Sequence, residues 1–262
     1  MPKLSTSKKI DLWVIAFFVF TSALFSIYFR VDIIVSVILY LAIPSLYLWL
    51  RETKNAKKIL FASVVIGVFL GIAYDLIVEL NKVWVIHYSI FPFGVIVLGD
   101  TPLGDFFWAF LILFSSITFY EHFLDDEKEP GLSKHCAGGV GVSLIIFLMA
   151  VLFSFSSSAS KLTNQDAYTI LGSLSIVPLL LLLISSSKLR YKIAWLTLFF
   201  FVLNLTFEIT AILLNQWSFP GKYITMIGGF GIYFPVEEFI FWILLGIPSL
   251  IVCYEFIFDD GK

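Results

Sequence analysis

The chain has 262 residues, of which 60% are hydrophobic and only 14% are charged, and its formal net charge is −2. Soluble domains carry about 25% charged residues. The composition, with a mean hydropathy of +0.97, therefore excludes a soluble globular domain and a disordered chain. The small net charge and the lack of a long basic run argue against a nucleic-acid partner. The composition predicts a polytopic membrane protein.

Eight apolar segments have the length of about 20 residues that a membrane-spanning helix needs. In chain order they cover residues 12–29, 33–50, 59–80, 103–124, 137–157, 168–187, 193–214 and 236–257. Eight spans place both termini on one side of the membrane, and 13 of the 17 Lys and Arg residues then face that side. The positive-inside rule therefore predicts an integral, multi-pass protein with both termini in the cytoplasm.

Two connections between these segments, 82–100 and 217–233, are apolar enough to be considered as further spans. The second contains Pro220 and four glycines between residues 221 and 231, which a continuous helix does not accommodate. The first connection is its counterpart in the repeat described next, so both are predicted to be structured loops. Inside a bilayer, such a backbone is stable only where protein covers it.

The two halves of the sequence share rare residue types at a constant offset of 133 residues. The coinciding pairs are Asp75 and Glu208, Trp84 and Trp217, Pro102 and Pro235, Asp105 and Glu238, and Phe106 and Phe239. With one inserted residue, the further pairs are Pro44 and Pro178, Tyr120 and Tyr254, and Glu121 and Glu255. The pattern predicts that the chain consists of two consecutive repeats, residues 1–130 and 134–262. An even number of spans in each makes them parallel, related by an axis along the membrane normal. The predicted fold is therefore all-α, with eight transmembrane helices in two parallel four-helix repeats.

Asp75 and Glu208 lie well inside predicted spans, where a charged side chain is costly and indicates a function by default. Asn204 precedes Glu208 by one helical turn and shares its face. These side chains are expected to face the interior of the bundle. They are predicted either to link helices through hydrogen bonds or to line a substrate site.

Asp105 and Glu238 each follow a proline by three residues, at the start of a predicted helix. An acid in the first turn complements the helix dipole, which is the simpler explanation. It does not explain why both halves keep the acid beside aromatic residues such as Trp108 and Trp242. Apolar surroundings penalise the ionised form of a carboxyl group and favour the protonated form, which is a proton donor. Aromatic faces stabilise a cation. The pattern suits protonation of an alkene and shelter of the resulting carbocation.

Four residues near the ends of the fourth and eighth spans, Tyr120, Glu121, Tyr254 and Glu255, are predicted to be anchors at the cytoplasmic interface of the membrane. The three histidines, His87, His122 and His135, are scattered along the chain, and no metal site is predicted from them. No phosphate-binding or dinucleotide-binding motif is present in the sequence.

The segment Pro235–Val236–Glu237–Glu238 matches in full the Pro-x-Glu-(Glu/Asp) motif of the membrane-embedded lycopene cyclase domain family, and Pro102–Leu103–Gly104–Asp105 matches it in part. Upstream, an acid followed nine residues later by a Trp, in both halves, is also similar to that family. The chain resembles the family over residues 65–125 and 200–260. Gly104 stands where the family has a Glu, so the first half departs from the pattern.

The resemblance implies that a terminal double bond of a linear C40 carotene is protonated, that the cation closes a ring, and that a proton is then lost. The reaction involves no net redox change, so no cofactor is expected. The catalytic candidates are Glu238, Glu237, Asp105, Glu208 and Asp75. The candidates for substrate contact are Trp84, Trp217, Pro102, Pro235, Phe106, Phe239, Trp108, Trp242 and Asn204.

The expected partners are an apolar isoprenoid or carotenoid substrate, the lipid bilayer and other enzymes of carotenoid biosynthesis, in a prokaryotic cell membrane. Two alternatives remain open at this point. A hydratase would act on the same alkene, with water trapping the cation. A non-enzymatic lipid-binding or transport protein is the other alternative, since internal repeats with acids at mid-membrane also suit transporters.

Overall fold

The structure is a computed structural model that describes residues 5–52, 54–67, 69, 83–98, 101–125, 132, 134–156, 164–185 and 187–258. Asp75, and with it most of the second half of the third predicted span, lies outside the described residues. In the described part of the chain, long helices dominate and the strands are no longer than four residues. The predicted all-α class is therefore confirmed.

The helices are α1 (Thr6–Phe29), α2 (Ile33–Val37), α3 (Ile43–Arg51), α4 (Ala56–Ile66), α5 (Leu103–Phe123), α6 (Lys134–Ser156), α7 (Asn164–Ser175), α8 (Val177–Ser185), α9 (Ser187–Leu213) and α10 (Gly246–Phe258). Among the elements whose bounds the structure describes, π1 (Ile38–Ala42) and π2 (Glu238–Leu244) have π-helical hydrogen bonding; π1 joins α2 to α3, and π2 precedes α10. The strands are β1 (Val85–Ile86), β2 (Ile96–Leu98), β3 (Thr101–Pro102), β4 (Trp217–Ser218), β5 (Met226–Gly229) and β6 (Ile232–Pro235).

Within the described residues, four helical stretches are long and apolar enough to cross a membrane. These are Thr6–Phe29, Ile33–Arg51, Leu103–Phe123 and Leu189–Leu213. The pair π2 and α10, bent by 48°, gives a fifth if it is one span. The other predicted spans coincide with α4, with α6, whose apolar stretch is Lys134–Met149, and with the broken pair α7 and α8, whose apolar stretch is Tyr168–Ile184. By length and composition, the described residues thus supply four or five of the eight predicted spans.

Prolines explain the breaks in these helices. Pro44 and Pro178 lie in the first turns of α3 and α8, directly after π1 and after the turn at Ile176. Pro248 similarly follows the bend between π2 and α10. A proline has no N–H to donate and clashes with the carbonyl four residues earlier. The helix therefore changes its hydrogen-bonding pattern or bends in the preceding turn.

Helix α5 and the π2–α10 pair run side by side in the same direction. The rings of Trp108 and Trp242 lie 4.8 Å apart near their first turns, and those of Tyr120 and Tyr254 lie 6.3 Å apart near their last turns. In both contacts the two residues are 134 positions apart in the sequence. Most residues of α5 are buried, so this pair forms the centre of the bundle.

The two long connections form strands at one end of the bundle. Strand β1 pairs antiparallel with β4, and Val85 lies opposite Ser218, the residue 133 positions later. A hairpin precedes each central helix: β2–β3 pairs Ile96 with Pro102, and β5–β6 pairs Met226 with Pro235. The prediction of structured loops in place of further spans is confirmed for the described part of both connections.

A tyrosine links the two connections to each other. The hydroxyl of Tyr223 donates to the backbone carbonyl of Val83, next to β1, and accepts from the backbone N–H of Gly221 at 3.1 Å. Burial raises the pKa of Tyr223 above its usual value. The phenol therefore stays protonated, and this hydrogen bond persists across the physiological pH range.

Candidate functional site

The two repeated acids meet in one small cavity. Asp105 lies in the first turn of α5 and Glu238 begins π2, and their exposed fractions are 3% and 5%. Both line a cavity of about 30 Å³ between the two halves of the chain. The other lining residues are Trp84, Ile86, Trp108, Trp217, Phe219 and Trp242. A volume above about 10–15 Å³ is enough for a water molecule, so the two carboxyl groups share a space large enough for one or two waters.

Four tryptophans wall this cavity, and the fold supplies them in two ways. Trp217 belongs to β4, and Trp84 directly precedes its partner strand β1, so the ladder between the two halves brings both indoles to the cavity. Trp108 and Trp242 lie one turn after the acids on the parallel central helices, with an angle of 40° between their rings. The acids are therefore surrounded by aromatic faces, which attract a positive charge.

Each acid is held by a tyrosine hydroxyl. Tyr88 donates to Oδ1 of Asp105, and Tyr168 donates to Oε2 of Glu238. Tyr88 comes from the first connection and Tyr168 from α7. Neither tyrosine was predicted, because the residues at the repeat positions that correspond to them are not tyrosines. Only the folded chain shows that the two acids have equivalent partners.

Gly104, which departs from the family pattern, has a steric role. A Cβ atom built on Gly104 would lie 2.3 Å from Cε1 of Tyr88. The tyrosine ring thus occupies the space in which a side chain at position 104 would begin. Glycine at position 104 therefore leaves room for the Tyr88 ring, whose hydroxyl donates to Asp105.

Glu237, the counterpart of Gly104, does not line this cavity. Its Oε1 accepts the backbone N–H of Ile224 at 2.7 Å, and its exposed fraction is 1%. This bond ties the chain before β5 to the start of π2. The geometry gives Glu237 a positioning function and leaves Glu238 and Asp105 as the acids that line the small cavity.

Glu208 binds Trp217, a lining residue of the small cavity, but does not itself line that cavity. The Nε1–H of Trp217 donates to Oε1 of Glu208 at 2.9 Å, which accounts for the spacing of nine residues between Glu208 and Trp217. Glu208 is buried, and it lies close enough to Glu238 for their charges to interact. Its counterpart Asp75 lies outside the described residues.

The remaining predicted contact residues line neither this cavity nor the larger one that adjoins it. Pro102 and Pro235 end the strands β3 and β6 and set the starts of the central helices. Phe106 and Phe239 are half-buried, and Phe239 packs edge-on against Phe201 at 5.9 Å. Asn204 is buried on α9, one turn before Glu208. Of the predicted contact set, the structure therefore brings only the four tryptophans to the acids.

A larger apolar cavity of about 110 Å³ adjoins the small one and shares with it Trp84, Asp105, Trp108 and Trp242. Its remaining lining residues come from α5, α6, α7, α8, π2 and α10: Ala109, Ile112, Leu113, Ser143, Leu144, Phe147, Leu174, Ser175, Pro178, Phe241, Gly246, Ser249, Leu250 and Cys253. Asp105 is the one acid on this lining. The acid pair therefore borders an apolar space between the helices of the second half and α5.

The opposite end of the bundle carries two buried polar networks. Glu121 accepts from Tyr254 and, at 2.7 Å, from Asn55, and it forms an ion pair with Lys58 at 3.0 Å. The residues predicted as interfacial anchors, Tyr120, Glu121, Tyr254 and Glu255, are all buried. The anchor prediction is wrong, because each tyrosine faces the acid of the other half instead of the membrane surface: Tyr254 binds Glu121, and Tyr120 lies beside Glu255.

The second network is centred on Asp11. Its carboxylate binds Arg51 at 2.9 Å, His122 at 3.0 Å and the Tyr47 hydroxyl at 2.7 Å. His122 also lies 3.4 Å from Glu52. These bonds join α1, α3 and α5 at the end of the bundle away from the strands.

Within the residues that the structure describes, no three His, Cys, Asp or Glu side chains are grouped as metal ligands. Comparison of the chain with family models, curated proteins and solved structures gives no match.

Proposed function

We propose that this protein is a membrane-embedded isoprenoid cyclase of the lycopene cyclase type. A buried carboxylic acid would protonate a terminal double bond, and the cation would close a ring. The main support is that Asp105 and Glu238, from equivalent positions of the two halves, line one cavity walled by four tryptophans. A proton donor beside several aromatic faces is the chemistry that a carbocation reaction requires.

The proposed architecture is an integral protein of a prokaryotic cell membrane, with eight spans in two parallel repeats and both termini in the cytoplasm. Three features of the centre of the bundle support the two parallel repeats. The two central helices run in the same direction, Val85 pairs with its own counterpart Ser218, and the tyrosine–acid contacts at the other end are reciprocal. All three are arrangements that a two-fold axis along the central helices would produce.

Glu238 is the proposed proton donor. It is buried near Glu208, and two neighbouring carboxyl groups in apolar surroundings do not both ionise. Glu238 is the member of this pair that lines the cavity, so a proton held by the pair reaches a substrate through Glu238. Tyr168 fixes the orientation of its carboxyl group.

Asp105 is the proposed base. Glu238 gives its proton to the CH carbon of the terminal double bond, which leaves a tertiary cation on the neighbouring dimethyl carbon. The next double bond then attacks this cation and a carbon–carbon bond forms. The ring cation then loses a proton from a neighbouring carbon to the Asp105 carboxylate. The two acids border the same small cavity, so a water in it can return the proton from Asp105 to Glu238. No proton is consumed overall, and no redox cofactor is needed.

Hydration of the same alkene is the second candidate function. It is favoured by one observation, the room for water between the two acids. A water there would attack the cation and give an alcohol in place of a ring. The predominantly apolar lining of the adjoining cavity favours cyclisation instead, because it offers the cation few nucleophiles.

Expression in a host that accumulates lycopene tests both candidates in one experiment. Cyclised pigment, identified by chromatography and mass spectrometry as an isomer of lycopene, supports the cyclase. A pigment heavier by one water supports the hydratase. If lycopene remains unchanged although the protein is present in the membrane, the lycopene cyclase proposal is refuted, and the lipid-binding or transport alternative gains support.

A further inference from the structure

A further cavity, of about 240 Å³, lies between α1, α5 and α9. It shares no lining residue with the two cavities beside the acids. On α5 its lining begins at Phe119, fourteen residues after Asp105. A helical rise of about 1.5 Å per residue places these two residues about 21 Å apart along the helix. The cavity is therefore separate from the proposed reaction site.

The lining of this cavity is entirely apolar. It consists of Leu12, Ala16, Val19, Phe20, Phe119, Phe123, Leu124, Trp195, Leu198, Phe199 and Val202. Phe20 and Leu198 are largely exposed at the surface of the bundle. The cavity is thus a groove between α1 and α9 that opens on the side of the helices that faces lipid, and we call it the α1–α9 groove.

Both helices begin at the same end of the groove. His122, in the last turn of α5, binds Asp11 near the start of α1 at 3.0 Å. Asp125, just after α5, lies 3.5 Å from Lys192 near the start of α9. The last turn of α5 therefore holds the first turns of α1 and α9 close together.

The length of the groove matches one leaflet of a bilayer. On α1 the lining runs from Leu12 to Phe20, which is about 12 Å at the helical rise. Half of the hydrocarbon core of a bilayer is about 15 Å thick. Exposed Trp13 and half-exposed Tyr191 lie beside the start of the groove, and such residues are typical of the membrane–water interface. The groove therefore runs from the headgroup level toward the middle of the membrane.

Positive charges stand at the headgroup end of the groove. Lys8 and Lys9 lie on α1 about one turn before Leu12. Within the residues that the structure describes, neither lysine forms an ion pair. Lys192 lies about one turn before Trp195 on α9. An apolar groove one leaflet long, with cations at its outer end, is complementary to a negatively charged lipid.

We propose that the α1–α9 groove binds one anionic phospholipid, with an acyl chain along the groove and the phosphate at Lys8 and Lys9. Basic sites between helices on the cytoplasmic side recognise such headgroups, and the proposed topology places this end of the bundle there. A linear polyene is longer than the groove and has no group for the lysines to bind. The site goes beyond the proposed function and does not depend on it.

A titration with brominated lipids tests the site, since bromine on an acyl chain quenches a tryptophan that it touches. The purified full-length protein, in a non-ionic detergent, is titrated with brominated phosphatidylglycerol or with brominated phosphatidylcholine, which has no net charge. Trp195 lines the groove and is the reporter. Phosphatidylglycerol should quench saturably, with one lipid per chain. It should bind about 30-fold more tightly than phosphatidylcholine, because each lysine contributes about a factor of five. Trp195→Phe should lose the saturable quenching.

A paired charge variant separates the headgroup contact from general electrostatic attraction. Lys8→Gln combined with Lys9→Gln should bind phosphatidylglycerol only as tightly as phosphatidylcholine. The matched control combines Lys57→Gln with Lys222→Gln, which removes the same charge at exposed positions outside the groove. This control should bind phosphatidylglycerol like the unmodified chain. If the first variant also keeps the full affinity, the proposal is overturned.

A second variant fills the groove itself. Ala16→Phe places a ring among the lining residues and should lose the saturable quenching. Leu24→Phe adds a ring at an exposed position of the same helix outside the groove, and it should bind normally. Full binding by a folded Ala16→Phe protein overturns the proposal. If Ala16→Phe fails to fold, as judged by its thermal unfolding midpoint without lipid, the lysine variants decide.

Two other occupants would give distinct results. If lycopene displaces phosphatidylglycerol one for one, the groove is a polyene site and the phospholipid proposal is overturned. If light scattering shows a dimer that Ala16→Phe dissociates, the groove is an interface between two copies and the proposal is again overturned. Equal affinity of the unmodified chain for the two phospholipids overturns it as well.

Discussion

Replacing Glu238 with Gln removes an acidic proton from the small cavity and keeps the shape of the side chain. The amide oxygen of Gln can still accept the Tyr168 hydroxyl, as Oε2 of Glu238 does in the structure. The variant therefore separates acidity from positioning. General acid catalysis contributes about 10²–10⁴-fold to a rate, equivalent to about 3–5 kcal/mol of transition-state stabilisation. We expect ring formation to fall by at least about 100-fold, because the proton starts the reaction.

The assay is pigment analysis in a lycopene-accumulating host, normalised to the amount of protein in the membrane. The matched control is Glu121→Gln, a buried acid at the opposite end of the bundle. Its amide can keep the contacts with Tyr254 and Asn55 but loses the ion pair with Lys58. This control is expected to lower the thermal unfolding midpoint and to leave the pigment composition unchanged.

The neighbouring acid makes the test sharper. Glu237→Gln also keeps its structural contact, since the amide oxygen can accept the backbone N–H of Ile224. Because Glu237 lies outside the cavity lining, this variant should retain most of the cyclisation rate. If Glu238→Gln formed rings at the unmodified rate while Glu237→Gln lost activity, the assignment of the proton donor would be refuted and Glu237 would replace Glu238.

Three further predictions follow from the site and the topology. Gly104→Ala pushes the Tyr88 ring off Asp105, so we expect a loss of about 1–3 kcal/mol in unfolding free energy, measured by denaturant titration in detergent, together with weaker cyclisation. An unchanged free energy of unfolding would contradict the predicted clash between a Cβ atom at position 104 and the Tyr88 ring. Trp217→Phe removes the donor to buried Glu208 and should cost a similar amount, about 1–3 kcal/mol, with Trp195→Phe as the control. Reporter fusions test the sidedness. They should report the cytoplasm after Lys58, Lys134 and Lys192, and the opposite side near Lys82 and Lys222. A signal from the opposite side after Lys134 would exclude the parallel repeats.

The sequence predicted the cavity residues that are repeated and missed those that are not. Trp84, Trp217, Asp105 and Glu238 could be found because both halves keep them at one offset, and the structure brings them to one cavity. The predicted roles of these residues, and the repeat itself, stay predictions. Asp75 lies outside the described residues, so its place is untested.

The sequence did not predict the contacts between side chains that lie far apart in the chain. Tyr168 is separated from Glu238 by 70 residues, and nothing in its neighbourhood marks it as other than a helix residue. Glu121 was assigned to the membrane interface from its position near a helix end. It is instead buried by Tyr254, 133 residues away. Hydropathy gives the position of a span along the chain, but which face is covered depends on packing that only the fold supplies.

The pairing of β1 with β4 has a consequence for how the molecule is made. Residues 1–130, released first from the ribosome, contain Asp105 and Trp108 but lack the strand and the parallel helix that cover them. Until residues 134–262 are inserted, β1 has no partner strand and Asp105 is not covered by the second half. Each half thus serves as the folding template of the other, like two subunits joined by a linker. The cavity between Asp105 and Glu238 is lined from both halves, so it forms only after the second half has been made.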